Sequence, residues 1–182
     1  MLELYAAKGA DFNEVGPKGD SLFEDILFDL CLDEKPFQYE VVKALLRLGA
    51  DPNVLGQERS SPMTPAMLRM DTEMLKILLE AGADPNAAAG FTESELFYDW
   101  AEFDYRYTIY DLCEPDVANE QDKADEDSWL LYLDRMAIKH GTRRPDHLFL
   151  LRRFGAKSIR EGNKQTEPDN MGDPANPPRP GV

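Results

Sequence analysis

Apolar residues recur at helical spacing in several separate segments of the chain. Leu75, Leu78 and Leu79 occupy positions i, i+3 and i+4, which places them on one face of a helix. Asp71 is placed to cap the start of that helix, and Gly82 can take the left-handed conformation that ends it. The same periodicity returns later, in residues 128–140. The pattern predicts an all-α chain of short helices.

One of these helical segments recurs with its last five residues unchanged. Residues 41–53 read VVKALLRLGADPN and residues 74–86 read MLKILLEAGADPN, an offset of 33 residues. Gly-Ala-Asp-Pro-Asn is identical in the two copies, and Asp-Pro-Asn is typical of a turn. Weaker copies begin at Gly9 and Gly155. A 33-residue repeat predicts stacked helical units that share one core.

The repeated unit resembles the ankyrin repeat, which implies a helix, a turn, an antiparallel helix and a β-hairpin loop. Met63-Thr64-Pro65-Ala66 is similar to the family's Thr-Pro-Leu-His opening, with Ala66 and Met67 in place of Leu and His. On this resemblance Thr64 is the N-cap and Pro65 the first helical residue.

The copies are unevenly spaced. From Gly9 to Gly49 is 40 residues, and we place the extra seven near residues 32–36, between two helices. From Gly82 to Gly155 is 73 residues, which fits two repeats with a lengthened inter-helix loop at 114–127. We therefore expect an ankyrin-repeat solenoid of about four helix-turn-helix repeats plus a partial N-terminal repeat, with irregular hairpin loops, over residues 1–160. Residues 161–182, rich in Pro, Gly and Asn, should form a disordered tail.

Motifs of catalytic chemistry are not visible in the sequence. There is no Gly-rich phosphate loop and no Cys-x-x-Cys pair. The two histidines, His140 and His147, fall at predicted helix ends, and the acidic run 122–127 lacks the spacing of a calcium loop, so we interpret it as a solvated loop. We expect no enzymatic activity, no cofactor and no metal. A metal-dependent enzyme is the remote alternative.

The cysteines and the N-terminus bear on the compartment. Cys31 and Cys113 each lie in an apolar helical segment, which favours buried free thiols in a reducing environment. The alternative is a disulfide between them. The N-terminus has neither a basic region nor a long apolar run. We expect a cytoplasmic protein without a membrane span.

The charge is strongly negative and unevenly distributed. Asp and Glu number 35 against 20 Lys and Arg, a net charge of -15, which disfavours nucleic acid and anionic membranes. Residues 95–127 contain twelve acidic and two basic residues, and residues 139–160 contain seven basic and one acidic. The acidic region either attracts a basic partner, serves solubility, or pairs with the basic region inside the fold.

The segment 96–111, LFYDWAEFDYRYTIYD, sets seven aromatic rings among acidic residues. We expect Phe97 and Trp100 in the core and Tyr98 and Tyr105 facing outward, where they would suit arginine and lysine side chains of a partner. The alternative is that the rings only pack an irregular core. The candidate partner-binding residues, on this segment and on the loop tips, are Glu58, Arg59, Phe91, Glu95, Tyr98, Asp99, Glu102, Asp104 and Tyr105.

A compact, acidic array with degenerate repeats is similar to small bacterial ankyrin-repeat immunity proteins. That resemblance implies a monomer that neutralises a basic toxin domain by covering its active site. The alternative within the same class is a scaffold or regulatory adaptor.

Overall fold

The computed structural model describes residues 2–17, 19, 21–33, 37–55, 61–87, 96–114, 116–159 and 161. Within them the chain is all-α, as predicted, and the only extended pairing is one antiparallel bridge between Val15 and Ser21. The helices are α1 (Leu2–Ala7), α2 (Leu22–Asp33), α3 (Gln38–Arg47), α4 (Met63–Leu68), α5 (Thr72–Glu80), α6 (Phe97–Leu112), α7 (Glu126–His140) and α8 (Asp146–Arg153). No helix in these ranges is long and apolar enough to span a bilayer. The predicted tail, apart from residue 161, lies outside the described residues.

Helix α5 forms as its sequence predicts. Asp71 caps it, its Oδ1 accepting a hydrogen bond from the Met74 amide at 3.0 Å. Leu75 and Leu78 are fully buried, and Gly82 follows the helix with a φ of 98°, which L-residues with a side chain rarely adopt. The amphipathic pattern and both end signals are confirmed.

Helix α4 begins earlier than predicted. It starts at Met63, whose amide donates to the Ser61 Oγ at 3.1 Å, and the Ser61 amide donates to the Thr64 Oγ1 at 3.2 Å. The prediction that Thr64 is the N-cap is therefore wrong. Pro62 already has helical dihedral angles, so the chain turns into the helix before it reaches Pro65.

Three asparagines join successive copies of the repeated turn, an arrangement that we call the asparagine ladder. In its middle rung, Asn53 Nδ2 donates to the Gly82 carbonyl at 2.9 Å and Asn53 Oδ1 accepts from the Asp84 amide at 2.7 Å. The outer rungs use the same atoms: Asn13 with Gly49 O at 3.0 Å and Asp51 N at 2.7 Å, and Asn86 with Gly155 O at 3.1 Å and Lys157 N at 2.8 Å. The ladder holds the turns after α1, α3, α5 and α8 side by side.

The last rung corrects the predicted number of repeats. Asn86 reaches Gly155 directly, so the turn after α8 is the immediate neighbour of the turn after α5. The described residues between them hold three helices, whereas two helix pairs would need four. Helix α8 packs against both α5 and α6, and α7 is an additional helix between α6 and α8. Because 73 − 33 = 40, a spacing of 73 residues fits one unit with a 40-residue insertion. It fits two units with a lengthened loop equally well.

Candidate partner-binding site

Helix α6 turns a different set of aromatic residues outward from the set predicted. Tyr98 and Tyr105 are completely buried, as is Phe97, whereas Phe103 and Tyr107 are 55% and 63% exposed. Tyr110, 37% exposed, continues this row at positions i, i+4 and i+7. The prediction that Tyr98 and Tyr105 face outward is wrong. The prediction that Phe97 lies in the core is confirmed.

Distant parts of the chain account for the burial of both tyrosines. The Tyr105 hydroxyl donates to the Arg143 carbonyl at 2.6 Å, and its ring meets His147 edge-on with centroids 5.2 Å apart. The Arg152 guanidinium lies over the Tyr98 ring, 5.6 Å from its centroid. Burial raises the pKa of both phenols. The partner of the Tyr105 hydroxyl is 38 residues away in the sequence, so the local pattern of residues does not reveal it.

Two of the predicted acidic residues make contacts within the fold. Asp99 accepts hydrogen bonds from the Ser158 hydroxyl at 2.6 Å and the Ile159 amide at 3.0 Å. Glu102 is buried and accepts from the Trp129 indole at 2.8 Å. Both carboxylates therefore hold α6 against neighbouring segments. The candidates Glu58, Arg59, Phe91 and Glu95 lie outside the described residues and stay predictions.

Part of the acidic region pairs with the basic region, which was one of the alternatives left open. Lys139 Nζ lies 2.7 Å from the Asp116 carboxylate, and Arg152 lies 3.0 Å from that of Asp127. Asp104, Asp111 and Glu114 form no ion pair within the described residues, and the latter two are exposed. Asp104 is half-buried, and burial raises the pKa of its carboxyl group.

We call Phe103, Asp104, Tyr107, Tyr110 and Asp111 the acidic aromatic face. From Phe103 to Tyr110 it covers about 10 Å of helix, at 1.5 Å per residue. Arg106 stacks on Phe103, its guanidinium carbon 5.7 Å from the ring centroid, and pairs with Glu102 at 3.6 Å. Of the five residues only Asp104 was a candidate from the sequence. The spacing of Phe103, Tyr107 and Tyr110 was the signal that could have identified the others.

An open cleft of about 820 Å³ reaches α6 at Thr108, which neighbours Asp104 and Asp111 on the surface of that helix. The ends of α2 and α4, the starts of α3 and α5, Thr108 of α6 and Arg143 surround it. On its wall, Asp71 accepts hydrogen bonds from the Tyr39 hydroxyl at 3.2 Å and from Gln38 Nε2 at 3.3 Å. Arg143 Nη1 donates to the Arg69 carbonyl at 3.2 Å, which ties the segment before α8 to the end of α4. The cleft thus combines aromatic, acidic, basic and amide groups.

The cleft contains a cysteine whose thiol is not activated as a nucleophile. Cys31 lies on its wall as a free thiol, and burial, reinforced by Asp71, raises the pKa of that thiol to about 11. The thiol therefore stays protonated at neutral pH. Cys113 is also free, so the prediction of free thiols is confirmed, although Cys113 is only half-buried. Among the described residues, no three His, Cys, Asp or Glu side chains are grouped as metal ligands.

Comparisons with known proteins give no family assignment. No protein-family model matches the chain, and a search of curated proteins finds no significant match.

Proposed function

We propose that the chain is an ankyrin-repeat protein that binds a basic protein, and that this partner is a toxin domain which the chain inhibits. The ankyrin assignment is supported by the asparagine ladder together with the 33-residue repeat. Each rung joins the turn that follows one helix to the equivalent turn of the next unit. Units that contact mainly their neighbours in this way form a stack with a continuous surface.

The observation that carries the binding proposal is the acidic aromatic face. Phe103 and Tyr107 are more than half exposed, and their neighbours Asp104 and Asp111 have no basic partner in the described part of the chain. Exposed rings in a row are typical of an interaction surface, since burying them against a partner is favourable. Rings beside carboxylates bind arginine and lysine through cation–π contacts and ion pairs.

Inhibition of a toxin is the specific form of the proposal. Toxins that act on nucleic acid carry basic active sites, and an acidic surface can cover such a site where the anionic substrate would bind. The net charge of -15 would accelerate the encounter with such a partner. An adaptor could use the same face, and its partners would be several and weakly bound.

The test is charge reversal on the face. The double variant Asp104→Lys/Asp111→Lys should bind the basic partner protein about tenfold or more slowly, with a flatter dependence on salt. Surface plasmon resonance at several salt concentrations measures both effects. Asp99 is unsuitable for this variant because it holds Ser158 and Ile159.

The matched control is Glu3→Lys/Glu80→Lys, which changes the net charge equally at exposed positions on α1 and α5. Equal slowing in both double variants would reduce the effect to net charge alone and remove the face from the interface. For the inhibitor form, co-expression should rescue cells from that basic protein. Failure to rescue, with only weak binding to several proteins, would favour the adaptor.

A further inference from the structure

Part of the lining of the cleft comes from the chain between the turns that follow α5 and α8. Helix α6 has 16 residues, whereas α4, which begins the preceding helix pair, has six. The longer helix brings Thr108 to the cleft, and the segment after α7 brings Arg143. Tyr39 of α3 and Glu73 of α5 also line the cleft. The insertion therefore turns an open end of the helix pairs into a recess.

The cleft and the acidic aromatic face are continuous on α6. Thr108 follows Asp104 by four residues and precedes Asp111 by three, so all three lie on one side of the helix. Phe103 and Tyr107 border the same two carboxylates on their other side. A partner segment lying on the face therefore passes Asp104 and Asp111 before it reaches the cleft.

The lining of the cleft also includes hydrogen-bond acceptors and an aromatic ring. Glu73 is exposed in the first turn of α5 and has no ion pair within the described residues. Gln38 Oε1 is buried and receives no hydrogen bond from the described part of the chain. Tyr39 presents its ring beside them, its hydroxyl directed to Asp71. A carboxylate, an amide oxygen and an aromatic ring together suit a flat cation with several donors.

Arg143, one of the two arginines that line the cleft, is held by backbone carbonyls. Arg143 directs both terminal nitrogens to the carbonyls of Arg69 and Met70, the two residues that follow α4. The lining charges of Asp71 and Glu73 balance those of Arg69 and Arg143. Asp104 and Asp111 then make the combined region of rim and cleft negative.

We infer that the cleft receives an arginine side chain from a loop of the basic partner. The guanidinium would donate to Glu73 and Gln38 Oε1 and stack on Tyr39, while the rest of the loop lies along the acidic aromatic face. Arginine fits better than lysine because its fork of donors matches a carboxylate and its plane stacks on a ring. A volume of about 820 Å³ admits the side chain together with neighbouring loop residues. This inference rests on the proposed function.

The test uses a tetra-arginine peptide blocked at both ends, added to the full ¹⁵N-labelled chain and followed by NMR. Signals of the Gln38 side-chain amide and of the Glu73 and Thr108 backbone amides should shift. Glu73→Gln should weaken peptide binding by about threefold to fivefold, the effect of one nearby charge in water. Thr108→Trp, which fills the cleft from an exposed helical position, should weaken it by about tenfold.

Two controls separate this site from general attraction. Glu80→Gln removes the same charge two turns along α5, outside the cleft, and should leave the affinity within about 1.5-fold of the wild type. A blocked tetra-lysine peptide should bind more weakly than the arginine peptide. Equal weakening by Glu73→Gln and Glu80→Gln, or equal binding of the two peptides, overturns the inference.

The peptide titration also distinguishes the two proposals. Shifts confined to residues 103–111, with no change at Gln38 or Glu73, overturn the arginine site and leave the acidic aromatic face as the binding surface. Because this readout comes from the wild-type chain, it does not depend on how well Thr108→Trp folds. If charge reversal at Asp104 and Asp111 leaves binding of the basic protein unchanged, the proposed function itself fails.

Discussion

At the scale of single residues, contacts with distant parts of the chain separate the buried Tyr105 of α6 from its exposed neighbour Tyr107. Tyr105 and Tyr107 are separated by one residue, yet Tyr105 is completely buried and Tyr107 is 63% exposed. The Tyr105 hydroxyl reaches the Arg143 carbonyl, and its ring packs on His147. Burying a phenol costs less free energy when its hydroxyl keeps a hydrogen bond.

This pair gives a matched prediction on stability. Tyr105→Phe keeps the ring but removes the donor to Arg143, which leaves a carbonyl without that bond, and it should lower the free energy of unfolding by about 1–2 kcal/mol. Tyr107→Phe should change it by less than about 0.5 kcal/mol because that side chain is exposed. Urea unfolding followed by circular dichroism measures both. A larger loss in Tyr107→Phe than in Tyr105→Phe would contradict the assignment of buried and exposed faces.

At the scale of helices and turns, the asparagine ladder is the feature that connects one unit to the next. Each rung uses both functional groups of a carboxamide, the amide as donor and the oxygen as acceptor. Alanine can do neither, and aspartate lacks the donor. The two hydrogen bonds to the turn of the following unit therefore explain why residue 53 is an asparagine.

Asn53→Ala should lower the free energy of unfolding by about 1–2 kcal/mol, since it removes two hydrogen bonds between units that are partly exposed to water. Chemical denaturation measures the loss. The control is Gln121→Ala, which removes an exposed carboxamide in the segment between α6 and α7 and should have an effect below about 0.5 kcal/mol. Equal effects of the two substitutions would mean that the ladder does not contribute to stability.

The sequence predicted the units that end with α3 and α5 well, and it predicted the unit that contains the insertion poorly. The matching turns after α3 and α5 follow from Gly-Ala-Asp-Pro-Asn, because the glycine, the proline and the asparagine each have a local conformational role. The exposure of α6 depends on contacts with Arg143, Arg152 and Ser158, far along the chain, which local periodicity does not encode. The repeat spacing left one unit with an insertion and two units indistinguishable.

At the scale of the whole molecule, stability should respond to acid through two kinds of titratable group. The Lys139 hydrogen bond lowers the pKa of Asp116, and the Arg152 hydrogen bond lowers the pKa of Glu161. Carboxylates with lowered pKa values stabilise the fold above the ordinary range of about pH 4 and lose that effect as the pH falls below it. A histidine buried in its neutral form acts at higher pH.

His147 is that histidine. It is 1% exposed, and burial, with a smaller effect of Arg143, lowers the pKa of its imidazole to about 3 from an ordinary value of 6.5. Because the folded chain disfavours the charged form, the contribution to stability is complete above pH 6.5 and declines as the pH falls towards 3. Between pH 6.5 and 4.5 the decline should be about 2–3 kcal/mol, at 1.36 kcal/mol per pH unit.

His147→Phe should therefore flatten the pH dependence of the free energy of unfolding between pH 6.5 and 4.5, whatever its effect at neutral pH. Urea unfolding at several pH values in this range measures the slope. His140→Phe is the matched control, since His140 is the only other histidine and lies exposed at the end of α7. It should keep the wild-type slope. If the wild-type slope persisted in His147→Phe and disappeared in His140→Phe, the titration would belong to the exposed histidine, and the packing of Tyr105 against a neutral imidazole would be wrong.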